Sequence, residues 1–304
     1  MIEIQREAGV ETLRLNRPAK KNALTGEMYT ALAEALERGN ADPEVRVHLV
    51  CGVPGAFTSG NDIADFLAFA ADGNMADAPV VRFLRALAAC ETPIVAAVDG
   101  LAIGVGTTML FHCDMVFASP RAFFKTPFID LGLVPEAGAS LLAPARMGHS
   151  RAFELLCLGE SFDPVMAKAA GFVNHIAPEE DLEARALACA RAIAAKPAEA
   201  MRLSRSLLIG DRAALRERME EEIRLFVTLK PGATCGAEDI RAHCRAVMAK
   251  FLVPAVVTIL DSMPRTMTGK PEKGKLSELP LWTGRRPPFY PNFSAFSSLV
   301  TDSS

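Results

Sequence analysis

Short aliphatic runs separated by stretches of helical spacing constrain this chain more than any other feature. Residues 12–15, 45–50 and 94–98 are rich in β-branched and aliphatic side chains and read as strands. Between the first two, residues 27–38 place Met28, Leu32 and Leu36 on one helical face, with Gly39 as the stop. Further on, Leu182, Ala186, Leu187, Ala190 and Ile193 repeat at helical spacing and end before Pro197. Strands separated by helices need crossover connections, which lay successive strands parallel. An α/β fold with a largely parallel sheet follows.

The chain has 304 residues, enough for one large core, or for one core and a small appendage. A net charge of -3 and a pI near 6.0 leave no basic footprint for nucleic acid. Asp99 and Asp114 bracket the most apolar stretch, so no run reaches the roughly 18–20 residues of a membrane span. The first residues lack the apolar core of a signal peptide, and a cytoplasmic location is expected. Seven scattered cysteines, an odd number, read as small buried hydrophobes rather than a disulfide framework. Cys235, His243 and Cys244 lack both a CxxC pair and a fourth ligand, so no metal is expected.

Two glycine-containing turns carry the chemistry. AFTSGNDI (56–63) follows the second strand-like run; DGLAIGVGTT (99–108) follows the third and leads into a helical segment. A strand, a glycine turn and a helix start present unpaired backbone N–H groups, suited to a phosphate or to an oxyanion that develops during reaction. Either turn alone could be only a tight corner. The second is not a dinucleotide fingerprint, because Met109 stands where a third glycine would be needed.

Taken together and in order, these segments resemble the crotonase (enoyl-CoA hydratase/isomerase) family. LNRPAKKNAL (15–24) is similar to its coenzyme A loop, residues 57–63 to its first oxyanion segment, and residues 100–114 to its second. LGLVPEAG (131–138) and AKAAGFVN (167–174) match two further blocks, so the resemblance spans residues 1–229. It implies a spiral of ββα turns, an acyl-CoA thioester substrate whose coenzyme A is part of that substrate rather than a separate cofactor, and assembly as a homotrimer or a pair of trimers. It also implies that the N–H groups of Asn61 and Val105 form the oxyanion hole, and that Ala23, Asp62 and Ile63 contact the adenine end through their backbones.

Hydratases of this family use two glutamates, whose positions fall at Thr108 and Phe128 here. Glu136 is the carboxylate left in a matching block, as in the peroxisomal-type Δ3,Δ2-enoyl-CoA isomerases. That resemblance implies proton transfer from C2 to C4 of a 3-enoyl thioester. Read alone, Pro135 and Glu136 would also suit the first turn of a helix, and Asp130 is a rival acid. Hydration by Glu136 alone, or a catalytically silent acyl-CoA-binding subunit, are the alternatives.

Beyond residue 229 the character changes. Lys230-Pro231-Gly232 breaks the helical run that ends at Leu229, and residues 230–286 resemble the C-terminal end of an acyl-CoA synthetase, with Lys270 at the position that contacts the acyl-adenylate. Without the large adenylation domain, ligase activity is not expected. Residues 287–304 form a Pro- and Ser-rich tail expected to be disordered.

Overall fold

A computed structural model describes residues 1–62, 64–65, 78–131, 133–221, 224–229, 234–247 and 256–262. The chain divides into two compact units, Met1–Glu222 and Ile223–Ser304.

The first unit opens with an antiparallel hairpin, β1 (Ile2–Glu7) and β2 (Val10–Leu15). Ala8 and Gly9 close it with φ of 49° and 79°, the positive values a two-residue turn between twisted strands demands. Helix α1 (Gly26–Ala41) starts at Thr25, whose hydroxyl accepts from the Met28 amide. Three strand pairs follow: β3 (Val47–Cys51) with β4 (Ala56–Thr58), β5 (Ile94–Val98) with β6 (Leu101–Ile103), and β7 (Met115–Ala118) with β8 (Phe123–Lys125).

The first strand of each pair enters a six-stranded sheet ordered β1-β2-β3-β5-β7-β9, where β9 is His175–Ile176. The second strand of each pair enters a three-stranded sheet ordered β4-β6-β8. Apart from the opening hairpin, the ladders of both sheets are parallel. Each turn of the chain therefore adds one strand to each sheet and then crosses over through a helix: α2 (Pro79–Ala89) before β5, α3 (Val105–Thr108) before β7, and α4 (Ala139–Leu156) after β8. This is the expected spiral of ββα turns.

Helices α5 (Pro164–Ala170), α6 (Glu179–Ala194), α7 (Ala198–Ile209) and α8 (Arg212–Glu221) complete the unit. Leu182, Ala186 and Ala190 of α6 cover one face of the large sheet against Val10, Val47, Leu49, Val95 and Phe117. Each large aliphatic side chain withdrawn from water there contributes roughly 1.5–3 kcal/mol. Under the small sheet, Phe172 meets Phe124 edge-on at 5.2 Å and Phe111 at 5.5 Å. These rings hold the segment after α3 against β8.

Two expectations need correction. Gly39 does not stop α1, which runs on to Ala41. A side chain there would stand 2.2 Å from His48 Nε2, so the glycine makes room for a buried imidazole. The run to Leu229 is also not all helical: α8 ends at Glu221, and Arg224–Thr228 is a strand, β10. Its β-branched and aromatic residues pair in parallel with β11 (Val256–Leu260). In the same unit, α9 (Ala237–Val247) lies within the stretch between those two strands. Lys270 and the tail lie outside the described residues. Among the described residues, no helix is long and apolar enough to cross a membrane.

Candidate active site

The site is built where the loop before α1, the turn after β4 and the turn after β6 meet. Asn22 welds the first two together. Its φ is 56° and it is fully buried; its side-chain amide donates to the carbonyls of Ala56 at 2.8 Å and Phe57 at 3.0 Å. Its Oδ1 accepts from Arg17 N–H at 2.7 Å, and its carbonyl accepts from the Thr58 hydroxyl at 2.7 Å. A buried amide with its donors and acceptors filled fixes a loop as firmly as a strand pairing would.

In the turn after β4, the Gly60 amide donates to Thr58 Oγ1 at 3.1 Å. The Leu24 amide donates to Gly60 O, and the Asp62 amide to Leu24 O. This is a one-residue parallel bridge, and it points the N–H of the intervening Asn61 away from the loop. In the turn after β6, the Gly104 amide donates to Lys125 O, while Gly104 O receives the amides of Thr107 and Thr108. Val105 opens α3, where a first-turn amide has no partner within the helix. Among the described residues, neither the Asn61 nor the Val105 amide has an internal acceptor.

The two turns run side by side. β4 and β6 are paired, a side chain at Gly60 would stand 3.0 Å from Ile103 O, and one at Gly106 would stand 2.4 Å from Thr58 Cγ2. Only glycine allows that approach, and Gly60 also has a φ of 90°.

Glu136 lies three residues ahead of α4, whose N-cap is Gly138, so it is not in the helix's first turn. It is half-buried, and the Thr108 hydroxyl lies 3.4 Å from its Oε1. Thr108 is fully buried and Phe128 is 6% exposed. At the two positions expected to match a hydratase's carboxylates stand a hydroxyl touching Glu136 and a core phenyl ring. Asp130 sits on the exposed turn Ile129–Leu131, beside Gly159.

Two residues expected at the adenine end have backbone groups engaged within the protein. The Ala23 amide donates to Lys20 O, and its carbonyl accepts from Arg17 Nη1 at 2.9 Å. The Asp62 amide is committed to Leu24. Its carboxylate accepts from Arg17 at 2.7 Å and from the Asp65 amide at 3.1 Å, bonds that hold it below the usual carboxylate range. Ile63 lies outside the described residues.

Two site residues gave no signal in the sequence. Tyr29, on the buried face of α1, donates its hydroxyl to Asn61 Oδ1. Burial, and then the nearby charges of Glu136 and Asp65, push that phenol well above its usual range, so it stays a donor. His112 is the second; its Nε2 lies 2.8 Å from Ala137 O. Each contact joins residues 25 or more positions apart. Only the fold brings them together.

Residues 5–235 match the family model of the enoyl-CoA hydratase/isomerase family, and residues 209–270 that of the AMP-binding enzyme C-terminal domain. A rat relative, enoyl-CoA delta isomerase 2, is 35% identical over 213 residues, covering 68% of this chain and 54% of its own. A mitochondrial enoyl-CoA hydratase from Pongo abelii is 33% identical over 188 residues, covering 61% of this chain and 63% of its own. This chain thus spans little more than half the length of the rat relative. A crystal structure of an enoyl-CoA hydratase/isomerase from Pseudoalteromonas atlantica T6c superposes with a TM-score of 0.69 at 40% identity, over 73% of this chain and 88% of that one. The fold and these paired turns define a crotonase-type enzyme. The chain belongs to the enoyl-CoA hydratase/isomerase family.

Proposed function

We propose that this enzyme moves the double bond of a 3-enoyl-CoA to the 2-position with one glutamate as the proton shuttle. One observation carries the reading: Glu136 stands against Thr108, while neither Thr108 nor Phe128 can supply a hydratase's carboxylate. The thioester oxygen accepts hydrogen bonds from the Asn61 and Val105 amides. The Glu136 carboxylate takes a proton from C2, and the electron pair spreads through the thioester and the 3,4 double bond as a dienolate. The same carboxyl then returns the proton at C4, leaving the 2,3 double bond conjugated with the thioester. No electron is gained or lost, and no cofactor is needed beyond the coenzyme A that the substrate carries.

The magnitudes suit this assignment. Each oxyanion donor is worth on the order of 10²–10³ in rate, and a positioned acid/base typically 10²–10⁴. We further assign the enzyme to homotrimers. Leu207 and Leu208, 84% and 88% exposed at the end of α7, are large apolar groups that such an assembly would cover, and sedimentation reads the state directly.

The test is purified protein with a 3-enoyl-CoA and a 2-enoyl-CoA, beside Glu136→Gln. Double-bond migration by the wild type and a loss of about 10²–10⁴ in the variant are expected. Hydration that survives the substitution, with no migration by the wild type, overturns the reading in favour of a hydratase. Thioester binding without turnover of either substrate overturns it in favour of a silent acyl-CoA-binding subunit.

A further inference from the structure

The Glu136 carboxyl is only as useful as the backbone that aims it, and that backbone is unusual. Ala137, the next residue, has a φ of 59°, and Gly138 after it 65°. A residue carrying a Cβ avoids left-handed backbone, and such a turn persists where surrounding contacts over-determine it. Glycine at 138 also meets a packing demand, since a Cβ there would lie 2.4 Å from Leu215 Cδ1. Ala137 has no such excuse and is held by something else.

The Ala139 amide closes the turn on Glu136 O at 2.9 Å, and a second hold comes from His112, at the end of the 3-10 turn Met109–His112 that directly continues α3. The imidazole is 8% exposed and places Nε2 2.8 Å from the Ala137 carbonyl oxygen. A ring nitrogen at that distance from a carbonyl oxygen must carry a hydrogen, because two lone pairs would repel. Burial, helped by the positive charges of Arg146, Arg205 and Arg212, brings the ring down to about 4, against the opposing pull of the Ala137 carbonyl. The ring is therefore neutral at ordinary pH, and the hydrogen on Nε2 leaves Nδ1 without one.

The brace is itself anchored. Arg146 of α4 donates to the carbonyls of Phe111 at 2.8 Å and Cys113 at 3.0 Å, on either side of His112. The segment bearing Val105 and the loop bearing Glu136 are thereby tied at a second point, beyond the Thr108–Glu136 contact.

We propose that His112 is a positioning residue: its Nε2–H holds the Ala137 carbonyl, fixes the left-handed turn after Glu136, and so sets the aim of that carboxyl relative to the oxyanion turns. This rests on Glu136 as the proton shuttle. Nothing is transferred to or from the imidazole, which acts through the main chain alone.

Two substitutions separate this role from mere filling of space. His112→Gln keeps a donor at about the reach of Nε2, and His112→Leu keeps bulk without a donor. His112→Leu is expected to lose about 10–100-fold in kcat, the effect of a misaimed group, with KM within about twofold, while His112→Gln regains most of the loss. Wild-type kcat in folded His112→Leu, or a His112→Gln as slow as His112→Leu with both thermally intact, overturns the proposal.

A readout without turnover guards against a leucine variant that fails to fold, and against failure of the isomerase reading. In the wild type, ¹⁵N spectra of the imidazole are expected to show a neutral ring protonated on Nε2 from about pH 8 down to about pH 5. The backbone shifts of residues 136–138 should be preserved in His112→Gln and moved in any folded variant lacking the donor. A ring protonated on Nδ1, or shifts at 136–138 that ignore the loss of the donor, overturns the brace. If the wild type moves no double bond while these spectra come out as expected, the isomerase reading fails and the brace stands.

Discussion

Gly106→Ala tests the oxyanion geometry with a single methyl group. The new Cβ would fall 2.4 Å from Thr58 Cγ2, whereas carbon atoms rest at about 3.5–4.0 Å, so the two turns must separate by about 1 Å. Thr58 cannot simply rotate away. Its hydroxyl donates to Asn22 O at 2.7 Å and accepts from the Gly60 amide at 3.1 Å, and turning the methyl aside breaks both bonds in a fully buried site. Overpacking of this kind costs about 1–3 kcal/mol of stability. The larger effect falls on rate. Asn61 follows Thr58 by three residues and Val105 adjoins Gly106, so the opening moves the two amides apart. A misplacement of about 1 Å costs on the order of 100-fold, in line with removal of one oxyanion donor. The assay is formation of the conjugated 2-enoyl thioester, followed by its ultraviolet absorbance, with urea unfolding run in parallel. The decisive arm is Thr58→Ser/Gly106→Ala, in which serine keeps both hydroxyl bonds but lacks Cγ2. The nearest remaining atoms are then the residue-58 carbonyl oxygen at 3.3 Å and its Cβ at 3.8 Å, and most of the lost activity should return. Wild-type turnover by the single variant, or a folded double variant no faster than the single one, refutes the reasoning.

Tyr29→Phe removes the donor that holds the Asn61 side chain; loss of one such bond, about 1.4 kcal/mol, predicts roughly a tenfold fall in kcat with little change in KM. An unaltered kcat in folded protein would show that the Asn61 amide is aimed without it. A pH effect on stability is expected at Glu11, which is fully buried on β2. Burial would raise its pKa, but the His48 ring 3.1 Å away and hydrogen bonds from Arg6 and Arg38 more than offset that and bring it to about 2, from 4.5. A depressed carboxyl stabilises the folded state above its unfolded value and loses that contribution as pH falls toward about 2, here on the order of 3 kcal/mol. Urea midpoints between about pH 5 and pH 2.5 should fall more steeply for the wild type than for Glu11→Gln, and equal slopes would remove Glu11 as the cause.

What was legible in the sequence was local or periodic. The strand at Ile94–Val98, the helical faces of α1 and α6, and the two glycine turns were read from composition and spacing. What was hidden depended on distant partners. Ala8-Gly9 carries none of the Asn-Gly or Asp-Gly chemistry that advertises a tight hairpin, and β1 went unseen although its pairing with β2 is complete. Arg224–Thr228 needed Val256–Leu260 before it could read as a strand. Gly39 looked like a terminator because its partner, His48, is visible only once β3 is stacked beside α1. In the site, the oxyanion turns and Glu136 sat in ordered blocks; Asn22 and His112 lay in such blocks too, but their roles, like that of Tyr29, come from contacts spanning 25 or more residues.

The two family matches overlap over residues 209–235, and the structure shows which residues there pack against the turn after Glu136. Helix α8 lies inside the stretch that resembles an AMP-binding C-terminal domain, yet it packs within the first unit. Its Leu215 and Met219, 5% and 7% exposed, face Gly138, where a Cβ would lie 2.4 Å from one and 3.3 Å from the other. Gly138 ends the turn that begins with Glu136, so α8 forms the wall behind that turn. That requirement holds whatever ancestry the helix sequence has, because a wall needs apolar volume at two positions one turn apart and little else. In the second unit, β10 and β11 pair with each other. A change of sequence character between residues 209 and 235 is therefore tolerable on packing grounds only where the incoming residues keep the two apolar positions of α8.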